Sequence, residues 1–87
     1  MYQLIFGKKF LDSVKILDKT LKPKLKFSLD FLLLNPFYSS LHTKPLTGKL
    51  SGFYSFRLSR DYRVIFKIIS FEKIYLISIG HRKDVYR

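Results

Sequence analysis

Two short stretches of this sequence could do chemistry. One is Gly80-His81-Arg82-Lys83-Asp84-Val85-Tyr86-Arg87; the other is Tyr62-Arg63 within Asp61-Tyr62-Arg63-Val64-Ile65-Phe66-Lys67. Both set strong cations beside aromatics at the edges of apolar, β-type runs. Fixed cations can stabilise a pentavalent phosphorane, and an aromatic ring can hold a splayed base. The sequence has no cysteine, and its pattern shows neither a metal-ligand cluster nor a glycine-rich phosphate loop. Chemistry in this chain therefore falls to Arg, Lys, His and Tyr, with no cofactor expected.

Proton transfer has one candidate near these cations. His81 belongs to the residue type that titrates near neutrality, and histidine is a frequent acid–base residue. Its alternative is a surface histidine that only positions backbone. His42 lies in a loop and reads as structural or as an RNA-edge contact. Tyr86 either stacks a base or packs as a core aromatic.

These residues must be placed by a single domain spanning residues 1–87. With 47% apolar residues a core is feasible, and some of that apolar surface is expected to stay exposed as a partner surface. Absence of cysteine removes disulfides and zinc–thiolate sites and leaves the redox compartment open. Met1-Tyr2-Gln3-Leu4-Ile5-Phe6 is too short for a signal peptide and lacks its basic stretch. The run Phe31-Leu32-Leu33-Leu34 is too short to span a bilayer. The expectation is a cytoplasmic protein with no membrane partner.

Seventeen Lys and Arg against six acids give a net charge of +11. So basic a small domain implies an anionic partner: nucleic acid, an acidic protein or an anionic membrane surface. The bland alternative is a lysine-rich, AT-biased genome with a solvated surface.

The pattern predicts a strand over residues 2–6 and a helix over 8–20, with Phe10, Leu11, Val14, Ile16 and Leu17 as its apolar stripe. Pro23 suits the first turn of a second helix over 23–34, whose core side is Leu25, Leu29, Leu32 and Leu33. Asn35-Pro36 ends it. A long connection, 36–50, follows, and such a length is often functional. Strands over 53–58 and 62–68 flank the turn Ser59-Arg60-Asp61, and a last strand covers 74–79. The order β-α-α-β-β-β is an α+β fold: two N-terminal helices on one face of a small, antiparallel-rich sheet. Strand alternation puts Arg57, Arg63, Lys67 and Arg82 on the sheet face away from the helices. There they would form one cationic concavity, although one face of an antiparallel sheet is commonly just polar and solvated.

At these residues the chain resembles the RelE/ParE superfamily of type II toxins, which has the same element order. Residues 45–58, Pro-Leu-Thr-Gly-Lys-Leu-Ser-Gly-Phe-Tyr-Ser-Phe-Arg-Leu, resemble its loop and first hairpin strand. Asp61-Tyr62-Arg63-Val64-Ile65-Phe66 resembles its most recognisable strand, and residues 80–86 resemble the closing motif of the RelE branch. The resemblance implies an mRNA-cleaving toxin that often acts at the ribosome and is held inactive by a cognate antitoxin. It implies that Arg63 stabilises the transition-state phosphate and that Arg82 lies near the scissile phosphate and leaving group. It further implies that Tyr86 stacks a base and that Arg57 sits where a basic residue activates the 2′-hydroxyl. The chain departs from the pattern at Ser55 and His81, where RelE has lysines, and at Lys44, near a glutamate of the YoeB branch. An arginine at position 57 is a poor base, because a guanidinium holds its proton.

The chemistry implied is attack by the substrate's own 2′-hydroxyl on the adjacent phosphorus, giving a cyclic phosphate and a free 5′-hydroxyl. It needs an aligned nucleotide, neutralised phosphorane charge and proton transfer. Arg57, Arg63 and Arg82 can supply the charge, and none of the three needs is a metal. Lys44, Lys49, Lys67, Lys83 and Arg87 are the expected RNA-binding cations. A ParE-like gyrase inhibitor and a degenerate protein that only binds antitoxin are the competing readings. ParE-like chains usually lack the closing His-Arg…Tyr set.

Overall fold

Alternating apolar residues along two long strands make one wall of the core. In a computed structural model describing residues 1–86, β4 (Tyr62–Ser70) and β5 (Lys73–His81) form an antiparallel hairpin. Val64, Phe66, Ile74, Leu76 and Ile79 are buried on one side of it. β3 (Tyr54–Arg57) pairs antiparallel with β4 and adds Phe56 to that side. β1 (Gln3–Phe6) runs parallel to β5, with residues 3–6 opposite 73–76. A fifth strand, β2 (Lys44–Pro45), pairs with Ser55 and Tyr54, so the sheet order is β1-β5-β4-β3-β2.

Two helices cover the apolar side. α1 (Lys8–Ile16) contributes Phe10, and α2 (Lys22–Leu34) contributes Leu25 and Leu32. These join Phe56, Val64, Phe66 and Leu76 in one cluster. Removing a fully buried leucine such as Leu32 typically costs about 2–5 kcal/mol. The α+β fold expected from the sequence is the fold found.

The first helix is shorter than its periodicity predicts. It stops at Ile16, and Leu17 is already extended (φ −68°, ψ 139°). Asp18 Oδ1 accepts the Thr20 N–H and the Thr20 hydroxyl at 3.0 Å each. These bonds, the backbone one first, hold the Asp18 carboxyl below its ordinary pKa. Such local side-chain bonding competes with helix continuation, and a separate 3₁₀ turn, Lys19–Leu21, follows. The buried stripe is therefore Phe10 and Leu17 with half-buried Val14, while Ile16 is 88% exposed and Leu11 also faces solvent. α2 carries Pro23 in its first turn and ends as expected at Asn35, which is extended ahead of Pro36.

The long connection is ordered rather than open. Leu41 is buried within a 3₁₀ turn, and the Thr43 hydroxyl donates to the Pro36 carbonyl at 2.6 Å. The unexpected strand β2 is extended by a bond from Leu46 N–H to the Phe53 carbonyl. It draws Lys44 and Lys49 beside the sheet. Among the described residues no helix is long and apolar enough to cross a membrane.

Candidate functional site

The register of the sheet sorts side chains into rows on the face away from the helices. Arg57 lies opposite Arg63, which lies opposite Gly80. The neighbouring row is Ser55, Ile65 and Ser78. All three of its members are buried, although they point away from the core.

The residues after β5 explain that burial. The carbonyl of His81 accepts the N–H groups of Asp84 and Val85 at 2.9 Å each, turning the chain back over the sheet. Val85 settles on Gly80; a Cβ there would lie 3.2 Å from Val85 Cβ and Cγ2. Tyr86 then reaches Ser55, with its hydroxyl 3.2 Å from Ser55 Oγ. Lys44 Nζ stands 5.8 Å from the centre of the Tyr86 ring, in range of a cation–π contact. Tyr86, Lys44, Lys49, Leu46 and Leu50 line a hollow of about 430 Å³, within the size range of small-ligand sites.

The arginines occupy the other end of this face. Like charges directly opposite one another across strands repel, and the Arg63 guanidinium is held by the β3–β4 turn. Its Nη1 donates to the carbonyls of Ser59 (2.8 Å), Arg60 (3.1 Å) and Tyr62 (3.1 Å). Arg82 continues the ladder past β5 through a 2.7 Å bond from its N–H to the Asp61 carbonyl. Its Nε lies 3.8 Å from Asp61 Oδ1, and both side chains are about half exposed. An ion pair this exposed contributes little stability, so Asp61 orients Arg82 without anchoring it. Arg57 is exposed at the sheet rim, because β2 pairs only as far as Ser55. Arg57 also borders a hollow against α2 that includes Phe27 and Phe31.

His81 does not join the arginines. It pairs in register with Tyr62, so its side chain takes the opposite face from Arg63 and Gly80. Its ring meets the Tyr62 ring edge-on at 5.7 Å and 71°. Its Nδ1 accepts the Lys83 N–H at 3.1 Å, which places the ring proton of a neutral imidazole on Nε2. The expected proximity of His81 to the cationic cluster is corrected by this parity: residues 81 and 82 are neighbours in sequence and opposite in direction.

The remaining RNA-binding candidates divide in the same way. Lys67 shares the open face and stands 5.5 Å from the centre of the Phe53 ring. Lys44 and Lys49 flank the Tyr86 hollow, and Lys83 is exposed in the returning turn. Arg87 lies outside the described residues. Three contacts do not follow from the sequence reading: Ser55 with Tyr86, Asp61 with Arg82, and Gly80 under Val85. Only Asp61 had a local signal, its alternation with Arg63. Among the described residues no three His, Asp or Glu side chains gather as metal ligands would.

The fold is shared with several toxins. YafQ from E. coli strain BL21(DE3) superposes with a TM-score of 0.82 at 20% identity over the whole of both chains. A YoeB/ParE toxin from Agrobacterium tumefaciens gives 0.79 at 19% identity, over 94% of this chain and 99% of that one. A chain of the heterotetrameric YoeB–YefM toxin–antitoxin complex from Staphylococcus aureus gives 0.77 at 19%, over 94% and 98%. No curated protein matches the sequence. A family profile does match, from residue 4 to residue 86, and it is that of the "ParE toxin of type II toxin-antitoxin system, parDE". The match takes in both helices, all of the sheet but its first residue and the returning turn, and on that ground the chain belongs to this family of toxins within the RelE/ParE superfamily.

Proposed function

We propose that this toxin is an endoribonuclease that cuts mRNA at the ribosome, using the substrate's 2′-hydroxyl as nucleophile and no metal ion. The observation that carries this reading is the open sheet face, which holds Arg57, Arg63 and Arg82 on adjoining backbone segments at one end and a Tyr86-lined hollow flanked by Lys44 and Lys49 at the other. The arginines meet the charge that grows on the phosphorane. Tyr86 holds a base, which aligns the nucleotide for in-line attack. Lys44, Lys49, Lys67, Lys83 and Arg87 contact backbone phosphates.

Arg63 is prepositioned by the three turn carbonyls, so little reorganisation is needed as charge develops. Arg57 contributes charge rather than basicity. His81 serves chiefly to hold the returning turn, through Nδ1 and its carbonyl; proton transfer through Nε2 is the alternative role. Solved relatives include toxins in complex with DinJ and YefM, which supports a cognate antitoxin as the partner that silences this chain. The setting of this activity is the cytoplasm.

A second reading follows from the family description, which names ParE: inhibition of DNA gyrase without RNA cleavage. Inducing the chain alone in cells and mapping mRNA 5′ ends separates the two. Growth arrest with new 5′ ends inside codons supports the endoribonuclease. Arrest with damaged DNA and intact mRNA supports gyrase inhibition. No arrest at all supports a degenerate chain that only binds antitoxin.

A further inference from the structure

One more row crosses the open face. Lys67 lies opposite Tyr75, and Tyr75 lies opposite Ile5. On the other side of Lys67 the register extends to Phe53, which lies within cation–π range. Phe53 and Tyr75 thus flank one lysine. Ile5 and Tyr75 are 37% and 39% exposed, whereas Ile74, Leu76 and Phe66, the strand neighbours of this row, are completely buried. The pleat alone turns these apolar groups outward, because their neighbours already fill the core.

The Tyr75 ring is held in place. A Cβ on Gly7 would fall 2.8 Å from Tyr75 Cε1 and 3.0 Å from its hydroxyl. The ring edge therefore rests over a residue that has no side chain. Substitution at Gly7 would displace the ring, since the Leu76 carbonyl oxygen closes the other side at 2.8 Å.

The row adjoins the Tyr86 hollow. Leu46 lines that hollow and its N–H donates to the Phe53 carbonyl at 2.9 Å. Phe53 lies two strand positions from Ser55, which holds Tyr86; that is about 7 Å along the backbone. Neighbouring bases of one splayed strand can reach both rings.

We propose that Phe53, Lys67 and Tyr75 form a second RNA platform, stacking bases on the two rings and meeting the intervening phosphate with Lys67. The proposal rests on the endoribonuclease reading and extends its substrate track beyond the reacting phosphate. Single-stranded RNA is favoured over a protein partner by the cation between the rings, by the net charge of +11 and by continuity with the cationic hollow. Stacking of this kind tolerates any base, because every base presents a π-face.

The test uses a short fluorescein-labelled uridine-rich RNA and the purified chain. Tyr75→Leu, which keeps apolar volume over Gly7, is expected to weaken binding about 10-fold, and Tyr75→Phe to stay within about 2-fold of wild type. Lys67→Gln is expected to flatten the salt dependence by about 0.7 in log–log slope. On an abasic RNA of the same length the Tyr75→Leu effect is expected to vanish. Wild-type affinity in a folded Tyr75→Leu chain that also cuts mRNA normally overturns the platform and leaves the endoribonuclease reading standing. So does a Tyr75→Leu chain that binds RNA normally but loses its antitoxin or changes oligomeric state. A wild-type chain that neither binds this RNA nor cuts mRNA overturns both.

Discussion

The Tyr86 hydroxyl lies 3.2 Å from the Oγ of Ser55, thirty-one residues earlier in the chain. Ser55 is 1% exposed, so this contact ties the returning turn to the buried side chain of a strand, β3. The pair predicts a coupling. Ser55→Ala and Tyr86→Phe should each destabilise by about 1 kcal/mol. The double variant should cost less than their sum, by about 0.5 kcal/mol or more. A urea-unfolding double-mutant cycle measures this, and strict additivity would show that the contact contributes nothing.

Tyr86→Phe should leave RNA cleavage nearly intact, because the ring that stacks is retained. Tyr86→Ala should weaken single-stranded RNA binding by about 10-fold. Equal effects of the two substitutions would assign the role to the hydroxyl rather than to the ring.

Arg63→Ala and Arg82→Ala should each lower the cleavage rate by roughly 10²-fold, the scale on which preorganised charge stabilisation acts. They should differ in stability. Arg82 faces the exposed carboxylate of Asp61, so its loss should stay within about 0.5 kcal/mol. Arg63 serves three turn carbonyls, and its loss should cost about 1 kcal/mol. Cleavage timed on mRNA and thermal unfolding of the same preparations test both statements; undiminished cleavage by Arg63→Ala would sink the endoribonuclease reading.

His81→Gln should reduce cleavage less than about 10-fold and leave the pH–rate profile in place, because the ring sits beside Tyr62 on the other face. A loss of about 10²–10⁴-fold with a vanished pH inflection would mark it as the proton-transfer group after all.

Gly80→Ala should lift Val85 off the sheet and loosen Tyr86, since the added methyl would sit 3.2 Å from two Val85 carbons. RNA binding should fall with little change in the far-UV spectrum. Adding Val85→Ala removes the Cγ2 contact but keeps the one to Cβ, and should restore part of the affinity. A double variant as weak as Gly80→Ala would place the defect in the strand instead of the contact.

Much of this was legible along single strands. Buried Val64 and Phe66 on either side of Ile65 set the direction of Arg63 and Lys67, and alternation alone carried that inference. The errors came where a local or long-range contact overrode periodicity. Asp18 captured Thr20 and ended the first helix early. β2 is two residues long and contains Pro45, so no pattern marks it; it exists because β3 offers an edge. Adjacency in the sequence groups His81 with Arg82, although one step along the ladder reverses the side chain. The burial of Ser55, Ile65 and Ser78 depends on residues 85 and 86 folding back, a contact between distant parts of the sequence.

The parallel pairing of β1 with β5 also has a kinetic side. The β3–β4–β5 meander closes through short turns, whereas residue 3 meets residue 73 only after nearly the whole chain has been gathered. Such distant pairings carry the loop-closure entropy that slows folding. The meander is therefore the natural nucleus, with β1 docking late. Substitutions in β1, such as Leu4→Ala, should act mainly by speeding unfolding. The amides of residues 3–6 should also exchange before those of residues 62–68, so that this toxin first comes apart at the edge strand farthest from β2 and its lysines.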